Sequence, residues 1–122
     1  MANLFVLIVE DDLDVAQLYE QVLQASGYAT EIARTGEAAM ARLTVDIPHL
    51  VLLDLNLPSR ISGADVLHHI RADPRLSTTR VIVVTGHLDL ADEVRDEADR
   101  LLLKPVDVSQ LNEVVERFRP GT

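Results

Sequence analysis

The sequence predicts an α/β fold, a doubly wound five-stranded parallel sheet in the order 2-1-3-4-5. Three observations carry the prediction. Short apolar runs alternate five times with helix-patterned segments across 122 residues. Several of those runs are apolar at every position, as strands buried on both faces require. Right-handed crossovers then leave few topologies, and 2-1-3-4-5 is the common one for five strands.

Each element has its own local reason. Residues 4–9 form the first strand, rich in Val and Ile. Asp12 or Asp14 caps the helix that follows. Its stripe is Val15, Leu18, Tyr19, Val22 and Leu23, the spacing of one helix face, and Gly27 stops it. Residues 28–33 alternate apolar and polar, a weaker strand. Thr35 opens a second helix, 37–43, that packs through Ala38, Ala39, Met40 and Leu43, and Pro48 closes the connection. Residues 50–53 are a buried strand running straight into Asp54. The stretch 56–63 is a loop, with Pro58, Ser59, Ser62 and Gly63. Ser62 caps a third helix carrying Ala64, Leu67 and Ile70, and Pro74 terminates it.

Residues 80–85 are the most β-branched run, broken by Gly86. A short acidic helix is expected over 88–98. The fifth strand, 101–103, is cut off by Lys104-Pro105. Asp107 with Gln110 reads as a capping box. It opens a last helix that shows Val108, Leu111, Val115 and Phe118, with Pro120 and Gly121 at the end of the chain. The whole chain, 1–122, is expected to be one flavodoxin-like (βα)5 domain, since its length has no room for two ordinary cores.

Composition excludes several classes of function. Without Cys there is no disulfide scaffold, thiolate metal site or cysteine nucleophile. A net charge of −9 argues against nucleic acid as a partner. No apolar run approaches a membrane span, and no signal peptide opens the chain, so no membrane partner is expected and the cytoplasm is the expected location. Aromatics are 3% of residues, so the core must be aliphatic.

In open α/β sheets the chemistry sits outside the carboxyl ends of the strands, where strand order reverses. Here that point lies between strands 1 and 3. Strand 1 ends at Glu10-Asp11-Asp12, strand 3 at Asp54, strand 4 at Thr85-Gly86 and strand 5 at Lys104-Pro105. Strand 2 ends at Ala33-Arg34, which offers nothing comparable. Carboxylates brought together repel, and a hard divalent cation relieves them. Mg²⁺ takes a few such oxygens and completes its shell with water and phosphate. An Asp can also attack phosphorus to give an aspartyl phosphate. Lys104, the Thr85 hydroxyl and the Gly86 N–H would steady phosphoryl oxygens. Lys104 is the sole Lys among eleven basic residues.

These residues carry a resemblance. The acidic cluster in "LIVEDD", "LLDLNLP" around Asp54, "VVTG" at Thr85 and "LLLKPV" at Lys104 together resemble a response-regulator receiver domain of two-component signalling. The resemblance implies that Asp54 accepts a phosphoryl group from a phosphohistidine. It implies Mg²⁺ bound directly by Asp11, largely through water by Glu10, and by Asp54 and the Asn56 carbonyl, with Asp12 just outside. Thr85 would swing toward the phosphoryl group and Lys104 would pair with it. Lys104-Pro105 would be a cis peptide.

The chain departs from the family in three places. Leu101 stands where an aromatic switch residue is usual. The loop 58–63 is one residue longer than the common pattern. The stretch from Thr85 to Lys104 is short by about one helical turn. His87, two residues after Thr85, sits where receivers tune access of water. His49, His68 and His69 show no metal-ligand spacing. The acids between 88 and 99 read as a solvated face, or as a surface for a basic partner.

The expected function is therefore a phosphoacceptor and not an enzyme. A sensor histidine kinase or phosphotransfer protein would deliver the phosphate. An unidentified downstream protein would read the result by altered binding, with the chain a monomer or weak dimer. The start at Met1 favours a complete short protein over a receiver cut from a hybrid kinase. The rivals are a Mg²⁺-dependent aspartyl-phosphate phosphatase and a flavin-binding protein. The first usually has an Asp where Asn56 stands. The second needs a phosphate loop where the chain has Glu10-Asp11-Asp12.

Overall fold

The computed structural model describes residues 4–119. Its elements run β1 Phe5–Val9, α1 Leu13–Ala25, β2 Ala29–Ala33, α2 Gly36–Val45, β3 Leu50–Asp54 and α3 Gly63–Ala72. They continue with β4 Arg80–Thr85, α4 Leu88–Val94, β5 Arg100–Leu103 and α5 Val108–Arg117. The sheet order is β2-β1-β3-β4-β5, all parallel.

Alternate strand residues face opposite layers. Leu7, Val9, Val51, Leu53, Val81 and Val83 pack with Leu43, Leu67 and Ile70 under α2 and α3. Val6, Ile8, Leu50, Leu52, Ile82 and Val84 pack with Leu23 and Leu111 under α1 and α5. Both faces are covered, which is why β1, β3 and β4 read as unbroken apolar runs. β2 is an edge strand, and its half-buried pattern explains the weaker alternation. No helix among the described residues is long and apolar enough to cross a membrane.

The local signals hold at most boundaries. Asp12, not Asp14, caps α1, accepting from the N–H groups of Asp14 and Val15 at 3.0 and 3.3 Å. Gly27 takes φ +92° just past the end of α1, a conformation that favours glycine. Ser62 and Asp65 make a reciprocal capping box on α3. Pro74 does more than end α3, because it opens a short 3-10 turn, Pro74–Leu76, capped by Asp73.

Four expectations are corrected. Leu18 stays 43% exposed, outside the packed stripe, because α1 buries Ala16, Tyr19 and Leu23 instead. Ala38 is likewise exposed on α2. At α5, Asp107 caps through the N–H and hydroxyl of Ser109, and Gln110 does not complete a box. The fourth helix ends at Val94, not at 98. Residues 95–98 turn back, so that Asp99 reaches the start of β4. Its carboxylate accepts from the Val81 N–H and Arg71 Nη2, both at 2.7 Å, and from Arg80 Nη1 at 3.2 Å. Arg71 also donates to the carbonyls of Glu97 and Thr79, at 2.7 and 3.1 Å. Pro120 and Gly121 lie outside the described residues.

Candidate functional site

β1 and β3 are neighbours in register, with Val9 opposite Leu53, so their next residues emerge together at the carboxyl rim. Glu10 follows β1, and its N–H donates to the Ala33 carbonyl at 3.0 Å. Its side chain is buried, as is that of Asp54 at the end of β3. Gly63 lies tight against that strand end. A Cβ there would overlap the Asp54 carbonyl and Leu55, so glycine is what lets α3 start so close.

β5 brings the counter-charge. The Lys104 N–H donates to the Thr85 carbonyl at 2.9 Å, and Lys104-Pro105 is cis. The Lys104 Nζ donates to Glu10 Oε1 and to Asp54 Oδ2, each at 3.0 Å. The other Asp54 oxygen, Oδ1, accepts from the Asn56 N–H at 2.9 Å. Burial pushes the Glu10 carboxyl up to about 7, against the Lys104 and Asp12 hydrogen bonds. Burial works against the Lys104 ammonium too, but its bonds to Glu10 and Asp54 outweigh that and hold it above its usual value.

Glu10, Asp11 and Asp54 each offer one carboxylate oxygen, all within 4.8 Å of one another. Three carboxylates face one ammonium, and their donors are hard oxygens. That set fits a small divalent cation such as Mg²⁺. The cleft over them, of about 310 Å³, is also lined by Asp12, Val15, Asn56, Gly86 and His87.

The structure thus brings Glu10, Asp11, Asp54, Asn56 and Lys104 together. It treats Thr85 differently. That side chain is fully buried, and its hydroxyl accepts from the His87 N–H at 3.1 Å without lining the cleft. His87 is exposed on the cleft wall. Leu101 is half-buried against the α3 side of the core. Of the acids in 88–99, Asp89, Asp92, Glu93 and Asp96 are exposed, whereas Asp99 is committed to its arginines.

Sequence reasoning missed Arg34. It stands just beyond β2, where nothing comparable to the other strand ends was expected. Its Nε and Nη2 both donate to the Asp11 carbonyl, at 3.2 and 3.1 Å. A base at the tip of an edge strand was the available signal, but its reach across the β1–α1 turn is a tertiary fact.

Comparison with known proteins agrees with this geometry. The family model for the response regulator receiver domain matches residues 6–116. The chain is 31% identical over 123 residues to sporulation initiation phosphotransferase F of Bacillus subtilis, covering 98% of this chain and 97% of that protein. It is 37% identical over 111 residues to regulatory protein LuxO of Vibrio vulnificus, covering 88% of this chain but 24% of that one. Several other relatives are longer too, and the chain spans only 19% to 48% of them. Among solved structures, response regulator protein TrrA of Thermotoga maritima, in complex with Mg²⁺-BeF, superposes with a TM-score of 0.84 at 27% identity. That match covers 94% of this chain and 98% of the other. A receiver fold, an acidic rim facing one lysine and a family match over nearly all described residues lead to one conclusion: the chain belongs to the response regulator receiver domain family.

Proposed function

We propose that the chain is a phosphoacceptor that takes a phosphoryl group on Asp54 from a phosphohistidine. The donor would be a sensor histidine kinase or a phosphotransfer protein. The observation that carries the reading is the Lys104 Nζ, held between Glu10 and Asp54 at 3.0 Å from each. It sits where a phosphoryl group on Asp54 would need a compact positive charge.

In the transfer, an Asp54 carboxylate oxygen attacks phosphorus. A P–O bond forms and the P–N bond breaks, its electron pair leaving on the ring nitrogen of a phosphohistidine already protonated at its other nitrogen, so that the donor departs as neutral imidazole. Mg²⁺ held by Glu10, Asp11, Asp54 and the Asn56 carbonyl would neutralise charge on the phosphoryl oxygens. Lys104 would exchange its bond to Asp54 for one to a phosphoryl oxygen. The Thr85 hydroxyl would leave the His87 N–H and turn toward the new group. His87, on the cleft wall, would tune the approach of water. The modified state would shift a conformational equilibrium that a downstream protein reads by altered binding. The chain acts in the cytoplasm as a signalling module and not as an enzyme in its own right.

The test is incubation with a small phosphodonor such as phosphoramidate, with Mg²⁺ or with a chelator, followed by intact-mass analysis. Wild type with Mg²⁺ should gain one phosphoryl group, and Asp54→Asn should gain none. An adduct at the same level in Asp54→Asn would overturn the assignment.

A further inference from the structure

We infer that Arg34 is a positioning residue for the metal ligands, acting through the peptide unit that joins Asp11 to Asp12. The inference rests on the Mg²⁺ site proposed above and adds a residue to it.

That peptide unit is clamped at both ends. Its carbonyl, on Asp11, accepts from Nε and Nη2 of Arg34. Its N–H, on Asp12, donates to Glu10 Oε2 at 3.1 Å. The other Glu10 oxygen accepts from Lys104, and Lys104 donates onward to Asp54, whose second oxygen accepts from the Asn56 N–H. One hydrogen-bonded chain therefore runs from Arg34 through the peptide, Glu10, Lys104 and Asp54 to Asn56. It passes through the acidic ligands or their own backbone at every step. The Arg34 bonds polarise the peptide whose N–H donates to Glu10, so fixing that peptide orients the carboxylate that Lys104 also holds.

The choice of acceptor is informative. A guanidinium fork matches a carboxylate best. Yet among the described residues Arg34 makes no ion pair, although Asp11 is its immediate neighbour. It takes the Asp11 carbonyl and leaves the Asp11 carboxylate free to face the cleft. Two donors on one carbonyl fix the plane of the peptide. The Glu10 N–H, bound to Ala33 next to Arg34, fixes the strand end on which that plane turns. The end of β2 thus sets the geometry of β1's acids from the side.

The role is one of orientation, so its loss should weaken cation binding more than it weakens the fold. The experiment is isothermal titration of the full chain with MgCl2, with urea unfolding in parallel without Mg²⁺. Arg34→Ala should raise the Mg²⁺ dissociation constant roughly 10-fold, the lower end of the range for an outer partner of a metal site. Its Mg²⁺-free unfolding midpoint should stay near that of wild type. Arg34→Lys, with one flexible donor instead of a fork, should recover only part of the affinity. In an Asp11→Asn background, Arg34→Ala should cost less than it does alone, because the two act on one ligand. An Arg34→Ala dissociation constant within twofold of wild type would overturn the role of Arg34. Equal costs in both backgrounds would overturn it too. A flat titration of wild type would instead overturn the Mg²⁺ site itself.

Discussion

Removing the Asp99 carboxylate should unfold the chain more readily without touching the chemistry at Asp54. Asp99→Ala deletes the acceptor for three donors, the Val81 N–H and Arg80 at the start of β4 and Arg71 on α3. The Arg71 bond, short and part-buried, is worth about 1.5 kcal/mol as a charge-assisted hydrogen bond. The Val81 N–H loses its partner at a part-buried strand end, which costs about 1.5 kcal/mol more. Arg80 is half-exposed, and its pair adds only a few tenths, about 0.3 kcal/mol. The sum is about 3.3 kcal/mol, a large part of the ~5–15 kcal/mol of an ordinary domain. With a urea slope of ~1.5 kcal/mol per molar, the midpoint should fall by ~2 M. Asp99→Asn keeps an oxygen for Val81 and should fall by about half as much.

The pH dependence gives a second signature of the same bond. Burial pushes the Asp99 carboxyl up, but the bonds from Val81, Arg71 and Arg80 outweigh it and hold it below its ordinary 3.8. A carboxyl lowered by folding stabilises the fold above that ordinary value and loses its contribution as pH falls below it. The gap between wild type and Asp99→Ala should therefore be full at pH 7 and narrow by about half below pH ~3.8, since the protonated acid, like Asn, still offers Val81 an oxygen. A midpoint shift under ~0.5 M at pH 7, or a gap that does not narrow in acid, would refute the reasoning. Asp99 lies at the amino ends of the strands and the phosphoacceptor at their carboxyl ends. The folded variant should take phosphate from a small donor at the wild-type rate.

Two further outcomes follow from the packing. Gly63→Ala would force a methyl group into the Asp54–Leu55 backbone. Urea unfolding should show a loss of about 2–3 kcal/mol, and phosphorylation by a small donor should slow because the acceptor strand end moves. Leu101→Tyr should leave phosphorylation intact, since Leu101 packs against the core and does not line the cleft. The larger ring should cost about 1–2 kcal/mol in the same unfolding assay.

How much of this was legible in the sequence depended on the range of the forces involved. β4 was readable residue by residue, because a β-branched run between a loop and Gly86 is a local signal. Asp54 was readable for the same reason, as an acid ending an apolar run. The convergence of Glu10, Asp54 and Lys104 followed from strand order. The end of α4 was not readable. The helical pattern continues past Val94, but the chain must turn there so that Asp99 can meet Arg71 and Arg80, 28 and 19 residues earlier. Arg34 was missed on similar grounds. Its acceptor is a backbone carbonyl, and a carbonyl leaves no trace in composition or periodicity. Leu18 was misassigned because it lies at the margin of the helix stripe, where a small rotation decides between core and solvent.

Lys104 has a practical consequence beyond its place in the cleft. It is the only lysine in the chain, so amine-directed reagents have one side chain to find, apart from the terminal amine. Attaching a dye or a surface through lysine would therefore act at the one position where attachment blocks the site. The same fact makes the residue a reporter. Protonated and paired with Glu10 and Asp54, its amine is a poor nucleophile, and any event that loosens those pairs should quicken its acylation. Peptide mapping at Lys104 would then record the state of the cleft in any preparation, without a label, an antibody or an engineered cysteine.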